Sequence, residues 1–344
     1  GPDIFMVTPE LYWKQRDKMI EMPYASYPVT TFTASYMDIG KTYLTPTGVA
    51  AYPLFVDPLV GYWNKDMFAS AGYATPPQEW KEFPELTKKL SVVSDNFAIS
   101  RSAFALGEYA NINHAKEILS LLFMQAGDPI THVGSSGRLA LDLGTSAGAK
   151  VALDFYTQFA DPSKGTAYTW NKSFTSDTEQ FLSSDLAYYF GLGSELSTLR
   201  RTNPNLNFDM TSVPQADKSG AKLTYGRLYG LAIAKQTKVT PLAYFVINNL
   251  LSSANSAKLV TGLQKTGLSV APVRRDILPN DPANPYSSML YQAALVSRTW
   301  IDPSPAFTGE AWNTMVSDIQ SGKSNSSSAL NTAKTKMSAY LKTE

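Results

Sequence analysis

Apolar positions along the chain follow two spacings, and together they outline alternating strands and helices. Residues 4–7 form a continuous apolar run, the mark of a buried strand, and residues 12–22 are polar with helical spacing until Pro23 ends them. Residues 24–48 are crowded with Thr, Ser, Tyr and Pro and show no period, so an irregular loop is expected. Residues 52–63 read as extended. Pro53 and Pro58 cannot donate ladder hydrogen bonds, which argues for a strand that bends or crosses between lobes rather than a central one. Asn64 then caps a short helix over residues 65–71 and Gly72 stops it. Pro76 and Pro77 force an extended corner. Beyond it Trp80, Phe83, Leu86 and Leu90 recur at helical spacing, with Pro84 at a first-turn position.

The second half continues the alternation. An amphipathic helix is expected over residues 112–126, ended by Gly127. Ala147, Val151, Phe155 and Phe159 repeat at four-residue intervals and predict one buried helix face, stopped at Asp161-Pro162. Ser176 and Glu179 form a capping box. Residues 187–190 and 228–234 read as strands, and Gly191-Leu192-Gly193 ends the first. Thr240-Pro241 opens a helix to Leu251, and residues 253–262 form another. Residues 279–285, PNDPANP, read as a rigid helix-free link. Residues 312–319 and 328–341 are closing helices around a loop at 322–327. Strands alternating with helices place the chain in the α/β class.

Composition narrows the picture. A length of 344 residues favours two lobes over one core, and 44% apolar with 17% charged residues describes an ordinary globular protein. With 30 basic and 29 acidic residues the net charge is +1, which argues against nucleic acid as the main partner. The absence of cysteine excludes disulfides, thiolate metal sites and a cysteine nucleophile, and leaves the compartment open. No run of apolar residues reaches the roughly 18 that a membrane-spanning helix needs. Because the chain opens almost directly on a buried strand, a segment upstream is expected to be missing.

Catalytic signatures are scarce. His114 and His132 lack zinc-type spacing, and His114, near a helix start, is expected in a solvated or capping role. Gly191-Leu192-Gly193-Ser194 is not a nucleophile elbow, and no phosphate loop or dinucleotide fingerprint is present. Gly134-Ser135-Ser136-Gly137 reads as a turn. Asp57 and Glu108 fit either hydrogen-bonding carboxylates or the pair that glycoside hydrolysis requires. The surplus of 6 Trp and 19 Tyr, some beside glycines as at Tyr225 and Tyr229, suits a carbohydrate ligand, whose CH faces pack on rings while its hydroxyls bond polar groups.

The stretch YWNKDMFASAGYATPPQEW, with Asn64, Lys65, Asp66, Ala71, Gly72, Pro76, Pro77, Trp80 and Glu82 in step, resembles the signature of family 1 extracellular solute-binding proteins, the maltose-type receptors of sugar ABC importers. Gln78-Glu79 stands where that signature usually carries Thr. Pro2-Asp3-Ile4, Tyr52-Pro53-Leu54, the segments at residues 181–193 and 225–251, residues 266–274 and residues 321–330 resemble further family elements in the same order; Ser184 and Tyr188 depart from the usual Gly and Met.

The resemblance implies a two-lobe, periplasmic-binding-protein type II-like fold with hinge crossings, an interlobe cleft for the ligand, and closure by hinge motion. It divides the chain into lobe 1, residues 1–56 and 230–280, and lobe 2, residues 57–229 and 281–344, with the family's opening strand–helix–strand absent. It implies a monomer that captures a sugar or similar polar small molecule, needs no cofactor or metal, binds no nucleic acid and delivers its ligand to membrane permease subunits. An extracytoplasmic location follows, periplasmic or lipid-anchored. Two alternatives stay open, a carbohydrate-active enzyme using cleft carboxylates and a sugar-binding sensor without transport. Residue by residue, the resemblance assigns ligand contacts to Glu10, Tyr12, Asp57, Glu108, Tyr109, Asn111, Gly193, Ser194, Tyr225 and Arg227, with Phe307 and Trp312 as stacking rings. The Trp common after Gly193 in relatives is absent.

Overall fold

Strand Tyr52–Asn64 belongs to two compact units, passing from one to the other between Pro58 and Leu59. Unit 1 gathers Gly1–Pro58, Thr131–Ala140 and Thr224–Pro305; unit 2 gathers Leu59–Ile130, Leu141–Leu223 and Ala306–Glu344. The computed structural model describes all residues except Lys218, 278–284 and Glu344, so the expected link at 279–285 lies, apart from Pro285, outside the described residues. The longer strands are β1 (Ile4–Val7), β2 (Tyr52–Asn64), β3 (Ile99–Phe104), β4 (Leu186–Leu192), β5 (Phe208–Ser212) and β6 (Thr224–Ala234). The helices are α1 (Pro9–Gln15), α2 (Val29–Ser35), α3 (Lys65–Ser70), α4 (Phe83–Leu90), α5 (Ala115–Gln125), α6 (Ala147–Thr157), α7 (Asp177–Leu182), α8 (Leu196–Thr202), α9 (Thr240–Leu250), α10 (Ser253–Lys265), α11 (Ser287–Val296), α12 (Pro305–Gln320) and α13 (Ser326–Thr343).

These units differ from the sequence-based division in four places, one being that unit 1 runs on to Pro305 rather than ending at residue 280. The crossing comes after Pro58, because β6 pairs with β2 as far as Gly226 opposite Pro58. The same pairing puts β6 in unit 1 from its first residue. Thr131–Ala140 also joins unit 1, where the Thr131 hydroxyl donates to the Ile301 carbonyl at 2.9 Å.

In unit 1, β6 is antiparallel to both β1 and β2, and Ala271–Pro272 pairs with the other edge of β2. Every residue of β2 is buried. It crosses between the units as expected, and it is also a central strand despite its prolines. The ladder slips register between Tyr229 and Gly230, where Pro53 sits, and Pro58 lies where the pairing with β6 ends. The missing N–H groups therefore fall at a bulge and a ladder end, where little is lost. Gly230 is required at that bulge, since a Cβ there would lie 2.5 Å from the Tyr43 ring. The helix expected at 12–22 begins at Pro9 and gives way after Gln15 to a 3-10 turn, and Met19–Ile20 pairs with β6. The expected loop at 24–48 contains α2 and a 3-10 turn, Asp38–Tyr43. Each buries few residues, Phe32 in the first and Ile39 and Tyr43 among those of the second, too few to show a period in the sequence.

In unit 2, β4 runs antiparallel to β2 and parallel to β3, while β5 pairs antiparallel with the other edge of β2. An aromatic core fills one layer: Phe83 stacks on Phe104 with centroids 3.9 Å apart, and Tyr188, Phe190, Phe159 and Trp80 surround them. Asn64 caps α3 as expected, its Oδ1 accepting from the Met67 N–H at 3.0 Å, and Gly72 follows with φ of 84°. On α6 the expected face holds only at its C-terminal end, where Phe155 packs on Trp80 and Phe159 is buried. Val151 is 66% exposed, and Ala149, Ala152, Leu153 and Tyr156 point inward. A four-residue repeat rotates about 40° per step around a 3.6-residue helix, so it cannot stay on one face.

Candidate functional site

In unit 1 the β2–β6 pair sets charge beside rings on one sheet face. Arg227 stands directly opposite Asp57, and Tyr229 opposite Phe55. Two-residue periodicity keeps Tyr225, Arg227 and Tyr229 on the same side of β6. Tyr229 stacks on Phe55, with centroids 4.7 Å apart and planes inclined by 29°. Burial raises the Tyr229 pKa against the pull of Arg227, and the carboxylates of Asp57 and Glu10 add to the rise, so all four groups lie within electrostatic reach. The ring stays protonated at neutral pH, a hydroxyl donor and acceptor. Asp57 and Tyr225 are buried, whereas Glu10, Arg227 and Tyr229 are half-buried.

Tyr12 belongs elsewhere in unit 1. It is buried, tilts against Tyr43 with centroids 5.9 Å apart, and lines a cavity of about 390 Å³ with Trp13, Arg16, Glu21, Thr47 and Ser136. Burial and then the Glu21 carboxylate push its pKa up to about 12, against the Arg16 guanidinium. Thus the structure brings together Glu10, Asp57 and Arg227, extended along the strand by Tyr225. Tyr229, which the assigned contacts omit, joins them. Its position beside Gly230, two residues beyond Arg227 on a strand, was the available signal.

In unit 2 the segment from Gly107 to Asn111 is clamped from several sides. The Tyr156 hydroxyl donates to the Glu108 carbonyl at 2.5 Å, and the Gln320 amide to the Gly107 carbonyl at 2.6 Å. Gly107 has φ of 98°, and a Cβ there would lie 2.6 Å from the Ala160 nitrogen. Asn111 donates to the carbonyls of Asn171 at 3.0 Å and Phe174 at 3.1 Å and accepts from the Trp170 indole at 3.1 Å. Those bonds use its amide to hold the loop. Glu108 and Tyr109 remain half-buried, and burial raises the Glu108 pKa against the nearby Lys172. The expected stacking rings are engaged inside the unit. Phe307 stacks on Tyr340 at 4.9 Å, and Trp312 is fully buried, edge-on to Phe123 at 5.5 Å. In this conformation Trp312 is a core residue.

Gly193 and Ser194 share a 3-10 turn with Glu195, and this turn is anchored by a polar network. Glu195 Oε1 lies 2.5 Å from His114 Nε2 and accepts from the Leu192 N–H at 3.1 Å, while Oε2 accepts from the Tyr189 hydroxyl at 2.6 Å. Thr178 donates to the same Tyr189 oxygen at 3.2 Å, and His114 Nδ1 lies 3.8 Å from Glu117. Burial works against a charged imidazole, yet Glu117 and Glu195 outweigh it and raise His114 to about 10. Burial raises Glu195, and its bonds to His114, Tyr189 and Leu192 reverse this and leave its pKa lowered. His114 is therefore a buried ion-pair partner rather than a solvated residue, and it stands at the N-cap of α5 without a side-chain capping bond. No partner within four residues except Glu117 announced this, because Glu195 arrives from another strand end.

A family model described as bacterial extracellular solute-binding protein matches residues 2–286. The chain belongs to the bacterial extracellular solute-binding proteins. No curated protein sequence matches it significantly. Among solved structures, this solute-binding protein is similar in fold to a cyclo/maltodextrin-binding protein complexed with maltotetraose, with TM-score 0.77 and 15% identity over 100% of this chain and 83% of that one. It is likewise similar to the sugar-binding protein MalE from the phytopathogen Xanthomonas citri, with TM-score 0.75 and 16% identity over 100% and 84% of the two chains. A third similar structure is CpMnBP1 with mannotriose bound, with TM-score 0.68 and 18% identity over 98% and 86%. The fold is thus the two-lobe α/β architecture of periplasmic binding proteins. Among the described residues, no helix is long and apolar enough to cross a membrane.

Proposed function

We propose that this solute-binding protein is the receptor of an ABC importer, that it binds a carbohydrate without transforming it, and that it delivers the ligand to membrane permease subunits from an extracytoplasmic position. The observation that carries the ligand class is the β2–β6 face, where the Phe55–Tyr229 stack lies beside the opposed Asp57 and Arg227. Rings beside charged hydrogen-bonding groups suit a neutral polyhydroxyl ligand. The titles of structures with this fold, with maltotetraose and mannotriose bound, support the same class. Unit 1 offers Glu10, Asp57, Tyr225, Arg227 and Tyr229, and unit 2 offers Glu108, Tyr109, Gly193 and Ser194. Asn111 acts by positioning its loop, and the assignment of Tyr12, Phe307 and Trp312 as contacts has the least support. Permease delivery rests on the family alone.

Titration calorimetry and thermal-shift measurements against a panel of mono- and oligosaccharides test this reading. Ligand at a hundredfold excess over Kd stabilises the native state by about 2.7 kcal/mol, a shift of a few degrees for a chain of this size. A sugar should produce that shift and be recovered unchanged. Stabilisation by amino acids or phosphoesters with none by any sugar would overturn the ligand class, and cleavage of the sugar would overturn the non-enzymatic reading.

A further inference from the structure

In unit 2 the two segments that carry candidate ligand contacts are joined by a closed ring of hydrogen bonds. The Asn113 side-chain amide donates to the Thr178 hydroxyl at 2.6 Å, Thr178 donates to the Tyr189 hydroxyl at 3.2 Å, and Tyr189 donates to Glu195 at 2.6 Å. Glu195 leads back to His114, the neighbour of Asn113, at 2.5 Å. From Asn113 to Glu195 every donor points the same way round, so each bond polarises the next. The ring ties the loop that begins with Gly107 and Glu108 to the turn Gly193–Glu195.

Asp177, the first residue of α7, holds the same loop by a second route, and it is fully buried. Its N–H donates to the Asn111 carbonyl at 3.1 Å. Its Oδ1 accepts from the Asn113 N–H at 3.1 Å and from the Thr178 N–H at 2.9 Å. Oδ2 has no hydrogen-bond partner among the described residues. Titratable groups face Asp177 from four elements: His114 at the start of α5, Glu195 in the turn, Tyr156 on α6 and Tyr189 on β4. Burial raises its pKa to about 6, against the Asn113 and Thr178 N–H groups and His114, and Glu195 adds to the rise. An asparagine would accept the same two N–H bonds without a charge. What ionisation adds is grip, since a charged acceptor roughly doubles the strength of a hydrogen bond.

We infer that Asp177 is a positioning residue for the sugar: without touching it, the side chain holds residues 111–113 against the Thr178–Tyr189–Glu195 chain, so that Glu108 and Tyr109 keep one spacing from Gly193 and Ser194. This inference rests on the ligand contacts proposed above. A protein that holds its binding-competent arrangement only part of the time binds with correspondingly lower apparent affinity. Loss of the Asp177 charge loosens the grip on Asn113 and lowers that fraction. The same loss does not weaken the fold, because burial already disfavours the charge.

The test compares the full chain with its Asp177→Asn and Thr178→Val variants by calorimetry with maltotetraose and mannotriose, by urea unfolding and by amide hydrogen exchange. At about pH 7.5, Asp177→Asn should bind about fivefold more weakly, with its urea midpoint unchanged or raised. A merely structural role would lower both. Affinity of the parent should fall about threefold to fivefold from about pH 7.5 to about pH 5, as Asp177 takes up its proton, and the Asp177→Asn profile should be flatter. Glu108, also raised by burial, titrates in both proteins, so the difference between the two profiles reports Asp177. Thr178→Val should weaken binding about threefold and keep the parent's pH profile. Exchange should quicken at residues 107–113 and at residues 192–195 together in both variants. Equal affinity of parent and Asp177→Asn with parallel pH profiles overturns the inference. So does exchange that quickens at residues 107–113 and leaves residues 192–195 unchanged. Binding of neither sugar by the parent counts against the ligand reading alone, and the exchange then decides whether Asp177 couples the two segments.

Discussion

Unit 1 sets Asp57 opposite Arg227 on a strand pair with the arginine and the neighbouring Tyr229 still half-buried. Unit 2 closes His114, Glu195 and Tyr189 around a turn, with both Glu195 oxygens bonded inside the protein. Each cluster joins a carboxylate, a cation and a tyrosine. The first leaves the Arg227 and Tyr229 side chains half-exposed beside a buried Asp57 and suits recognition. The second consumes its capacity internally and suits holding a loop, here the turn carrying Gly193 and Ser194. The difference lies in the packed surroundings, and residue type alone does not convey it.

The sharpest way to break this contrast is to remove one partner of the His114–Glu195 pair. His114→Gln should cost about 3 kcal/mol in urea unfolding, since it removes the cation facing the buried Glu117 and the half-buried Glu195 carboxylates. A cost under about 1 kcal/mol, the range of exposed pairs, would abolish the distinction. The same pair sets a pH dependence. The folded His114 pKa, about 10, lies above its ordinary 6.5, so its stabilisation is complete below 6.5 and is lost as pH rises through about 10. Unfolding free energy should fall across that range, and His114→Gln should flatten it. Asp177 acts in the same sense at acid pH. Burial raises it to about 6, so its contribution drains away as pH rises from its ordinary 3.8 to about 6.

Next in size is the open pair. Asp57→Asn should weaken sugar binding by about 1.5–3 kcal/mol, roughly ten- to a hundredfold, if the carboxylate bonds the ligand. Calorimetry should show this with the unfolding midpoint changed by only a few degrees. Unchanged affinity would move Asp57 into the structural class with His114. Tyr229→Ala should cost about 0.5–1.5 kcal/mol of affinity through the lost ring surface. The smallest effect is expected at Phe307→Ala, about 1 kcal/mol of stability through the Tyr340 stack, with sugar affinity unmoved. A tenfold affinity loss there would restore Phe307 as a ligand ring.

Much of the local structure was readable from the chain. The Asn64 cap, the Gly72 stop, the Pro84 first turn and the Ser176 cap all formed where residue types placed them. The family signature followed from the same stretch. Less of the candidate site was readable. Glu10, Asp57 and Arg227 came together, but Tyr229 entered only through the β2–β6 register, and Trp312 looked like a free ring until α12 buried it against Phe123. Val151 looked buried from its spacing and is exposed.

Residue types alone decided the caps and stops at Asn64, Gly72 and Ser176, the α/β alternation and the family, because caps, prolines and glycines act on backbone groups within about four residues. Tertiary structure decided which charged groups are buried and which stay half-exposed, how β2 tolerates two prolines, and which face of α6 is covered. Those outcomes depend on partners far along the chain, as Asp57 depends on Arg227 and His114 on Glu195, and burial is a property of the packed surroundings rather than of a residue or its neighbours.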